Sequence, residues 1–373
     1  QSLFVARDPI GIKPLYYSET QEALLFASEL KALAPFCHTI REFPPGTSFH
    51  SQSGFSTFYT IPETIPQDAP INTYCKRVRE TLEKAVVKRL MSDVPLGAFL
   101  SGGLDSSIIA ALAKQHIDEL HTFSVGIEGS NDLQAARLVS RHLNTVHHEY
   151  IITPEEVIEN LPKIIYHLES FDQDLVRSAI PCYFTSRLAS DYVKVILTGE
   201  GADEIFAGYT YYKDINNFNS LHKELHRSIA SLHNINLQRV DRMTMAHSIE
   251  GRVPFLDLEM IRLGQLIPIP LKLSGTPPIE KWILRKAFEE LLPNEIVWRA
   301  KEQFDEGSGI IDLLYETLKT IMPAEEARAY HPCYPDIHLR SAEECHYHRL
   351  FMEVFKNPSS LLTTVGRWSN RPS

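Results

Sequence analysis

The sequence predicts an α/β fold: a doubly wound parallel sheet with a helical C-terminal part, preceded by a short β-rich piece. Three observations carry that expectation. Residues 96–112 pass from an apolar run through a glycine- and serine-rich loop into a second apolar run, the order strand, loop, helix. Short β-branched stretches then alternate with stretches of helical length and spacing as far as Gly199. Beyond Leu221 the pattern is mostly helical to the end of the 373 residues.

In chain order, residues 3–6, 14–17 and 23–27 read as short strands, with Asp8, Pro9 and Gly11 as turn residues between the first two. Residues 28–33 read as one or two helical turns, and residues 43–49 as a turn into a strand. This piece, residues 1–60, is too short for an independent core. Residues 61–71, rich in proline and threonine, read as a linker, and residues 72–373 as the main domain. From Tyr74 through Val78, Leu82, Ala85, Val86 and Leu90 the apolar residues keep close to helical spacing, so an amphipathic helix leads into the strand at residues 96–100.

After the loop and a helix from Ser106 to Lys114, residues 120–126 read as a second buried strand and residues 132–143 as a helix with Ala135, Ala136 and Val139 on its apolar face. Residues 146–152 read as a third strand and residues 154–168 as a helix; residues 192–199 are a central, strongly β-branched strand. Residues 239–257 mix charged and apolar side chains as a helix entering a buried polar cluster would. Residues 277–288 predict another helix, with Pro278 near its start and with Lys281, Arg285 and Phe288 on one face. Residues 300–309 read as a flexible, glycine-ended loop, a candidate to order over a substrate.

A formal charge of −10 argues against nucleic-acid binding as the main business of the chain, and no apolar run approaches a membrane span. The five scattered cysteines form no Cys-x-x-Cys pair, which predicts reduced thiols and a cytoplasmic protein. His147 and His148, adjacent in a strand, point to opposite faces and make a poor metal pair. The opening at Gln1 reads as a fragment of a longer protein. Oligomeric state is not encoded legibly, and a homodimer is compatible with the sequence.

The loop Ser101-Gly-Gly-Leu-Asp-Ser-Ser107 offers backbone N–H groups and hydroxyls at a helix N-terminus, where an anion is favoured. It lacks the Gly-Lys-Ser/Thr ending of a Walker loop. Glu200-Gly-Ala-Asp-Glu204 follows the central strand directly, and such a density of carboxylates calls for a cation or a substrate. With Lys281, these stretches suit activation of an acid by ATP. Asp105 and Asp203 are hard oxygen ligands for Mg²⁺, Lys281 would neutralise phosphoryl charge, and Glu200 would be general base for an attacking amine. A ligand-free turn at the first loop and a solvated acidic turn at the second are the plainer alternatives.

The Ser101–Ser107 string resembles the pyrophosphate-binding loop of the ATP-pyrophosphatase enzymes. Arg7-Asp-Pro-Ile-Gly-Ile-Lys-Pro-Leu-Tyr-Tyr17 and Phe26-Ala-Ser-Glu-Leu-Lys-Ala-Leu33 resemble the C-terminal portion of a class II glutaminase domain, of the N-terminal-nucleophile type. Together with Leu197-Thr-Gly-Glu-Gly-Ala-Asp-Glu204, Gly251-Arg-Val-Pro-Phe-Leu-Asp257, Glu280-Lys-Trp-Ile-Leu-Arg285 and Lys301-Glu-Gln-Phe304, they resemble the glutamine-hydrolysing asparagine synthetase family over nearly the whole chain.

That resemblance implies ATP and Mg²⁺ as cofactors, and aspartate with ammonia or glutamine as substrates. It implies Leu100, Val125 and Gly199 at the adenosine site, with Ser101, Gly102, Gly103, Asp105 and Ser106 on the phosphates. It also implies Asp105 and Asp203 on the metal, Glu200 and Lys281 in catalysis, and Arg177 and Glu204 by the substrate or intermediate. The family's N-terminal cysteine nucleophile is absent from this chain, so as given it should use ammonia, the longer protein glutamine. Asp174-Leu175 stands where some members carry threonines, which bears on the acceptor acid. A relative amidating another acid, such as a β-lactam-forming or natural-product enzyme, is the alternative enzyme reading. An inactive scaffold paralogue is the reading from another class, and the presence of Asp105, Glu200, Asp203 and Lys281 together speaks against it.

Overall fold

The computed structural model describes residues 2–302, 304–356 and 359–367. Six short strands at the start form two three-stranded antiparallel sheets. In one, β1 (Phe4–Ala6) pairs with β5 (Thr47–His50), which pairs with β6 (Gly54–Thr57); in the other, β2 (Tyr16–Glu19) lies between β3 (Leu24–Ala27) and β4 (Arg41–Glu42). The strand expected at residues 14–17 begins only at Tyr16, because Pro14 has no N–H to give a ladder. β4 and β6 were not expected; each is short and without an apolar alternation to announce it.

Tyr17 and Phe26 of one sheet meet Phe49 and Phe55 of the other around Phe43, with ring centroids 5.0–6.2 Å apart. Tyr16 and, from helix α1 (Leu30–Leu33), Leu30 and Leu33 are buried in a cluster completed by residues beyond position 150, such as Ile164, Leu168 and Met243. Residues 58–70 carry no helix or strand, yet the segment is pinned: the N–H of Gln67 and the hydroxyl of Tyr74 both donate to Leu266 O.

The central sheet follows the long helix α2 (Ile71–Lys88). Its five strands are β7 (Leu96–Phe99), β8 (His121–Gly126), β9 (Val146–Ile151), β10 (Val195–Leu197) and β11 (Glu250–Arg252), all parallel, in the order β11-β10-β7-β8-β9. Val195, Ile196 and Leu197 are almost wholly buried, each worth about 1.5–3 kcal/mol in apolar burial. Helices cover both faces. On one, α2, α3 (Leu104–Lys114) and α4 (Asn131–Leu143) share a core with Ala98, Leu100 and Leu197. On the other lie α5 (Pro154–Leu168) and α6 (Gln173–Ser190), packed with Val125.

From β7 the chain winds outward to β8 and β9, then crosses back to place β10 on the other side of β7. The carboxyl ends of β7 and β10 are therefore neighbours at the topological switch point, where open α/β sheets bind ligands. The loop into α3 and the loop into α7 (Ala202–Phe206) both start there. Helices α8 (Phe218–Ala230) and α9 (Asn236–Met245) precede β11, and further helices complete the C-terminal part.

Two expectations need correction. The helix foreseen from residue 277 begins at Trp282, so Lys281 is not on it. Ser274 and Ile279 pair backbone to backbone around a turn that holds Pro277 and Pro278, and Lys281 then takes a left-handed φ of 55°. Residues 300–309 are not simply a loop: Phe304–Gly307 is a helical turn, and Ser308 O accepts the Ile127 N–H at 2.9 Å. Gln303 lies outside the described residues. His147 and His148 do diverge, His147 toward Thr122 and Ser124, His148 toward His121. Among the described residues, no group of three or more His, Cys, Asp or Glu is placed to hold a metal, and no helix is long and apolar enough to cross a membrane.

Candidate active site

A cleft of about 190 Å³, open to solvent, lies over the carboxyl ends of β7 and β10. Its floor is the loop from Leu100 to Ser106. Ser101 N–H donates to Ser106 Oγ at 3.2 Å, the two serine hydroxyls are 3.0 Å apart, and Gly103 N–H donates to Ser101 Oγ at 3.3 Å. The loop is thus shaped by its own hydroxyls at the N-terminus of α3, the end of a helix that attracts anions. Two of its glycines are required by space. Gly102 has φ 73°, and a Cβ there would come within 2.5 Å of Ala135 Cβ and Ala136 N on α4. A Cβ on Gly199 would be 2.9 Å from Asp105 Cβ and Ser106 N, so the loops after β7 and β10 touch only because position 199 has no side chain.

Lys281 joins those two loops. Its Nζ is 2.5 Å from Asp105 Oδ2 and 2.6 Å from Asp203 Oδ1, and its side chain is almost wholly buried. Lys301 reaches Asp203 Oδ2 at 3.1 Å. Burial alone would raise the Asp203 carboxyl, but Lys281 and then Lys301 outweigh it and hold the group well below the usual carboxylate range. Conversely, burial would lower the Lys301 ammonium, and Asp203 and Asp105 hold it above its usual value. Asp105 Oδ1 is buried and accepts no hydrogen bond among the described residues.

Glu200 lies beside this cluster and is hydrogen-bonded to the guanidinium of Arg239 on α9. Burial pushes the Glu200 carboxyl above its ordinary value despite the opposing Arg239 charge, which is the direction a proton acceptor for an amine needs. On the far wall, Asp132 pairs with Arg299 at 2.9 Å; burial outweighs that partner and raises its carboxyl to about 6.

Two sequence comparisons bear on this arrangement. A family model described as asparagine synthase matches residues 77–220 and 214–360, which hold every side chain of the cluster just described. The chain belongs to the asparagine synthase family. A glutamine amidotransferase domain model matches residues 1–35. Among curated relatives, a probable glutamine-hydrolysing asparagine synthetase from Dictyostelium discoideum is 37% identical, the match covering 98% of this chain and 72% of that protein. Asparagine synthetase B from Escherichia coli is 38% identical, over 95% of this chain and 68% of the relative. Asparagine synthetase 2 from Arabidopsis thaliana is 38% identical, over 98% and 67%.

Leu100, Ser101, Gly103, Asp105, Ser106, Gly199, Glu200, Asp203 and Lys281 all line the cleft of this family member. Four residues expected at the site do not line it. Gly102 serves the loop's shape from behind. Val125 is buried in the apolar core, and Phe123 and Ser124 line the cleft in its place. Glu204 is turned inward, accepting from the Tyr209 hydroxyl at 2.6 Å; burial, with Asp203 beside it, raises its carboxyl to about 7. Arg177 is held by Glu343 through two bonds of 2.8 and 2.5 Å and faces the C-terminal helix Ala342–Val354.

Sequence reasoning missed Arg239, Asp132, Arg299 and the role of Lys301. Lys301 sits in a string already noted and carried that signal; Arg239 opens the mixed stretch 239–257 read as a helix entering a buried polar cluster, but nothing local points it at Glu200, 39 residues away.

Proposed function

We propose that the protein is an ATP-dependent, AMP-forming ligase of the ATP-pyrophosphatase type that converts aspartate and ammonia to asparagine. The observation that supports it best is the bridge of Lys281 between Asp105 of the phosphate loop and Asp203 of the acidic loop, 2.5 and 2.6 Å long, with Glu200 beside it. An oxygen of the aspartate side-chain carboxylate attacks the α-phosphorus of ATP; the bond to the β-phosphate oxygen breaks and pyrophosphate leaves. The loop N–H groups and the Ser101 and Ser106 hydroxyls take the phosphate oxygens, and Lys281 meets the charge that grows as pyrophosphate departs. Ammonia then attacks the acyl carbon, Glu200 accepts the proton released from nitrogen, and the C–O bond to AMP breaks.

Mg²⁺ fits the residues present. It is usually held by one or two carboxylates plus substrate phosphates, and Asp105 and Asp203 are two carboxylates beside a phosphate loop, with Asp105 Oδ1 unbonded among the described residues. When bound there it supplies charge neutralisation on the phosphates. We assign these steps to residues 72–373, with residues 61–71 as connector and residues 1–60 as part of a glutaminase unit that supplies ammonia from glutamine in a longer protein.

The test is incubation with ATP, Mg²⁺, ammonium and aspartate, measuring pyrophosphate, AMP and asparagine in equal amounts; no pyrophosphate with aspartate would overturn the reading. Glu200→Gln separates the half-reactions. It should still release pyrophosphate with aspartate while amide formation falls about 10²–10⁴-fold, the usual worth of general base catalysis. Unchanged asparagine formation would remove Glu200 from that role.

A further inference from the structure

The carboxylates that line the cleft are nearly all matched, within the cleft, by cations. Asp105 and Asp203 have Lys281, Asp203 also has Lys301, Glu200 has Arg239, and Asp132 and Glu302 share Arg299. Asp174, on the first turn of α6, is the exception. Among the described residues its one cationic partner, Arg340, does not line the cleft and reaches Asp174 Oδ2 from outside at 2.9 Å. Arg340 is itself tied there by Asp172 and Glu344. Asp174 Oδ1 has no bond among the described residues, and the side chain is 38% exposed, more than Asp105 at 16%, Asp203 at 17% or Glu200 at 22%.

The rest of that wall adds no positive charge. From α6 the cleft receives Asp174, Leu175, Ser178 and Thr185. Arg177, the cation of the same turn, is committed to Glu343. A substrate that is itself a dicarboxylate is repelled by such a wall unless it brings a cation to it, and a carboxylate accepting from an ammonium makes one of the stronger hydrogen bonds available.

We propose that Asp174 is the specificity residue that receives the α-ammonium group of the acceptor acid, so that the site selects an α-amino acid over the same dicarboxylate without nitrogen. This rests on the adenylating-ligase reading above. Docked by its ammonium on α6, the acceptor is left with its side-chain carboxylate free for the α-phosphorus, and Arg340 fixes the carboxylate that docks it.

The test compares aspartate with succinate, which has both carboxylates and no ammonium, in the full chain with ATP, Mg²⁺ and ammonia, following pyrophosphate release. Wild type should prefer aspartate in kcat/KM. Asp174→Asn should raise the KM for aspartate about 10- to 100-fold, the loss expected when a hydrogen bond to a charged group goes, and bring the aspartate-to-succinate ratio toward one, with the KM for ATP unchanged. Asp174→Ala, measured in parallel with thermal unfolding of both variants, should give the same loss of preference. An unchanged ratio in the folded variants overturns the proposal, as does an equal fall for both acids, which would make Asp174 a purely structural partner of Arg340. Failure of wild type to release pyrophosphate with either acid would overturn the ligase reading, and a wild type that uses both acids equally would overturn the role of Asp174 alone.

Discussion

Replacing Lys281 by methionine isolates what holds the two loops of the cleft together. The lysine is the cation that touches both Asp105 and Asp203, at 2.5 and 2.6 Å, and its side chain is 2% exposed. Methionine keeps much of the volume and removes the charge, leaving two carboxylates close together in a buried site. Breaking a buried ion pair by deleting one partner costs about 3–5 kcal/mol. Lys301 stays on Asp203 at 3.1 Å, which places Lys281→Met at the lower end of that range. The assay is urea unfolding with and without Mg²⁺, no nucleotide present. A divalent cation between the carboxylates substitutes for the missing ammonium, so Mg²⁺ at 100 times its dissociation constant should restore about 2.7 kcal/mol to the variant. Wild type should gain less, because Lys281 already neutralises the pair. Pyrophosphate release should fall on the order of 10²–10³-fold, as when a group aimed at developing charge is removed. A variant as stable as wild type, or one that Mg²⁺ stabilises no more than wild type, would refute the reasoning.

Two further substitutions probe the surroundings. Lys272 is 1% exposed, and burial lowers its ammonium from 10.5 to about 7. The unfolded chain therefore binds more protons than the folded one between those values, so the penalty is fully present at and below pH 7 and fades as pH rises to 10.5. Lys272→Met should raise stability, with a ceiling of about 5 kcal/mol near pH 7 and a much smaller gain at pH 10; equal gains in unfolding midpoint at both would show that burial is not the cause. Gly208→Ala would drive its new methyl group into Asp203 Oδ1 and Lys281 Cε. Adenylation should be lost while circular dichroism stays native, and an active Gly208→Ala enzyme would mean that the Asp203–Lys281 contact is dispensable.

The parts of this protein that could be read from its sequence are those whose cause is local. Val195, Ile196 and Leu197 announce a buried strand by their own composition, and the serines and glycines after Leu100 announce a loop that must approach something closely. Lys281 was legible as a residue but not as a position. Its left-handed backbone follows from a turn closed by Ser274 and Ile279, a long enough excursion that helical spacing gives the wrong neighbours. Arg177 was misplaced for a different reason: what turns it from the cleft is Glu343, 166 residues away. Pairings across the fold, such as Arg299 with Asp132, leave no trace in local pattern and are decided by which loops the sheet brings to one edge.

Helix α9 is shared between the N-terminal segment and the cleft. Asn236 and Arg239 line the cleft, and Arg239 holds Glu200. From other faces of the helix, Asp241 pairs with Lys13 at 2.7 Å, Gln238 accepts from the Tyr16 hydroxyl at 3.4 Å, and Arg242 pairs with Glu169 at 2.9 Å and Glu29 at 3.3 Å. Glu169, wholly buried, also accepts the N–H groups of Leu30 and Lys31 at 2.9 and 2.7 Å, so it ends α1 as well as anchoring α9. An unpartnered carboxylate or guanidinium at such burial is strongly unfavourable; Arg242 and Glu169 satisfy each other within the main domain, while Asp241 takes its cation from Lys13 and Glu169 completes its bonds with the N–H groups of Leu30 and Lys31. The position of Arg239 against Glu200 is therefore braced from behind by residues 13–31 together with Glu169 and Leu168. On this ground residues 13–31 are expected to support the ligase site even where no glutamine is hydrolysed, because without them the helix that carries the partner of Glu200 loses its contacts to Lys13, Tyr16 and Glu29.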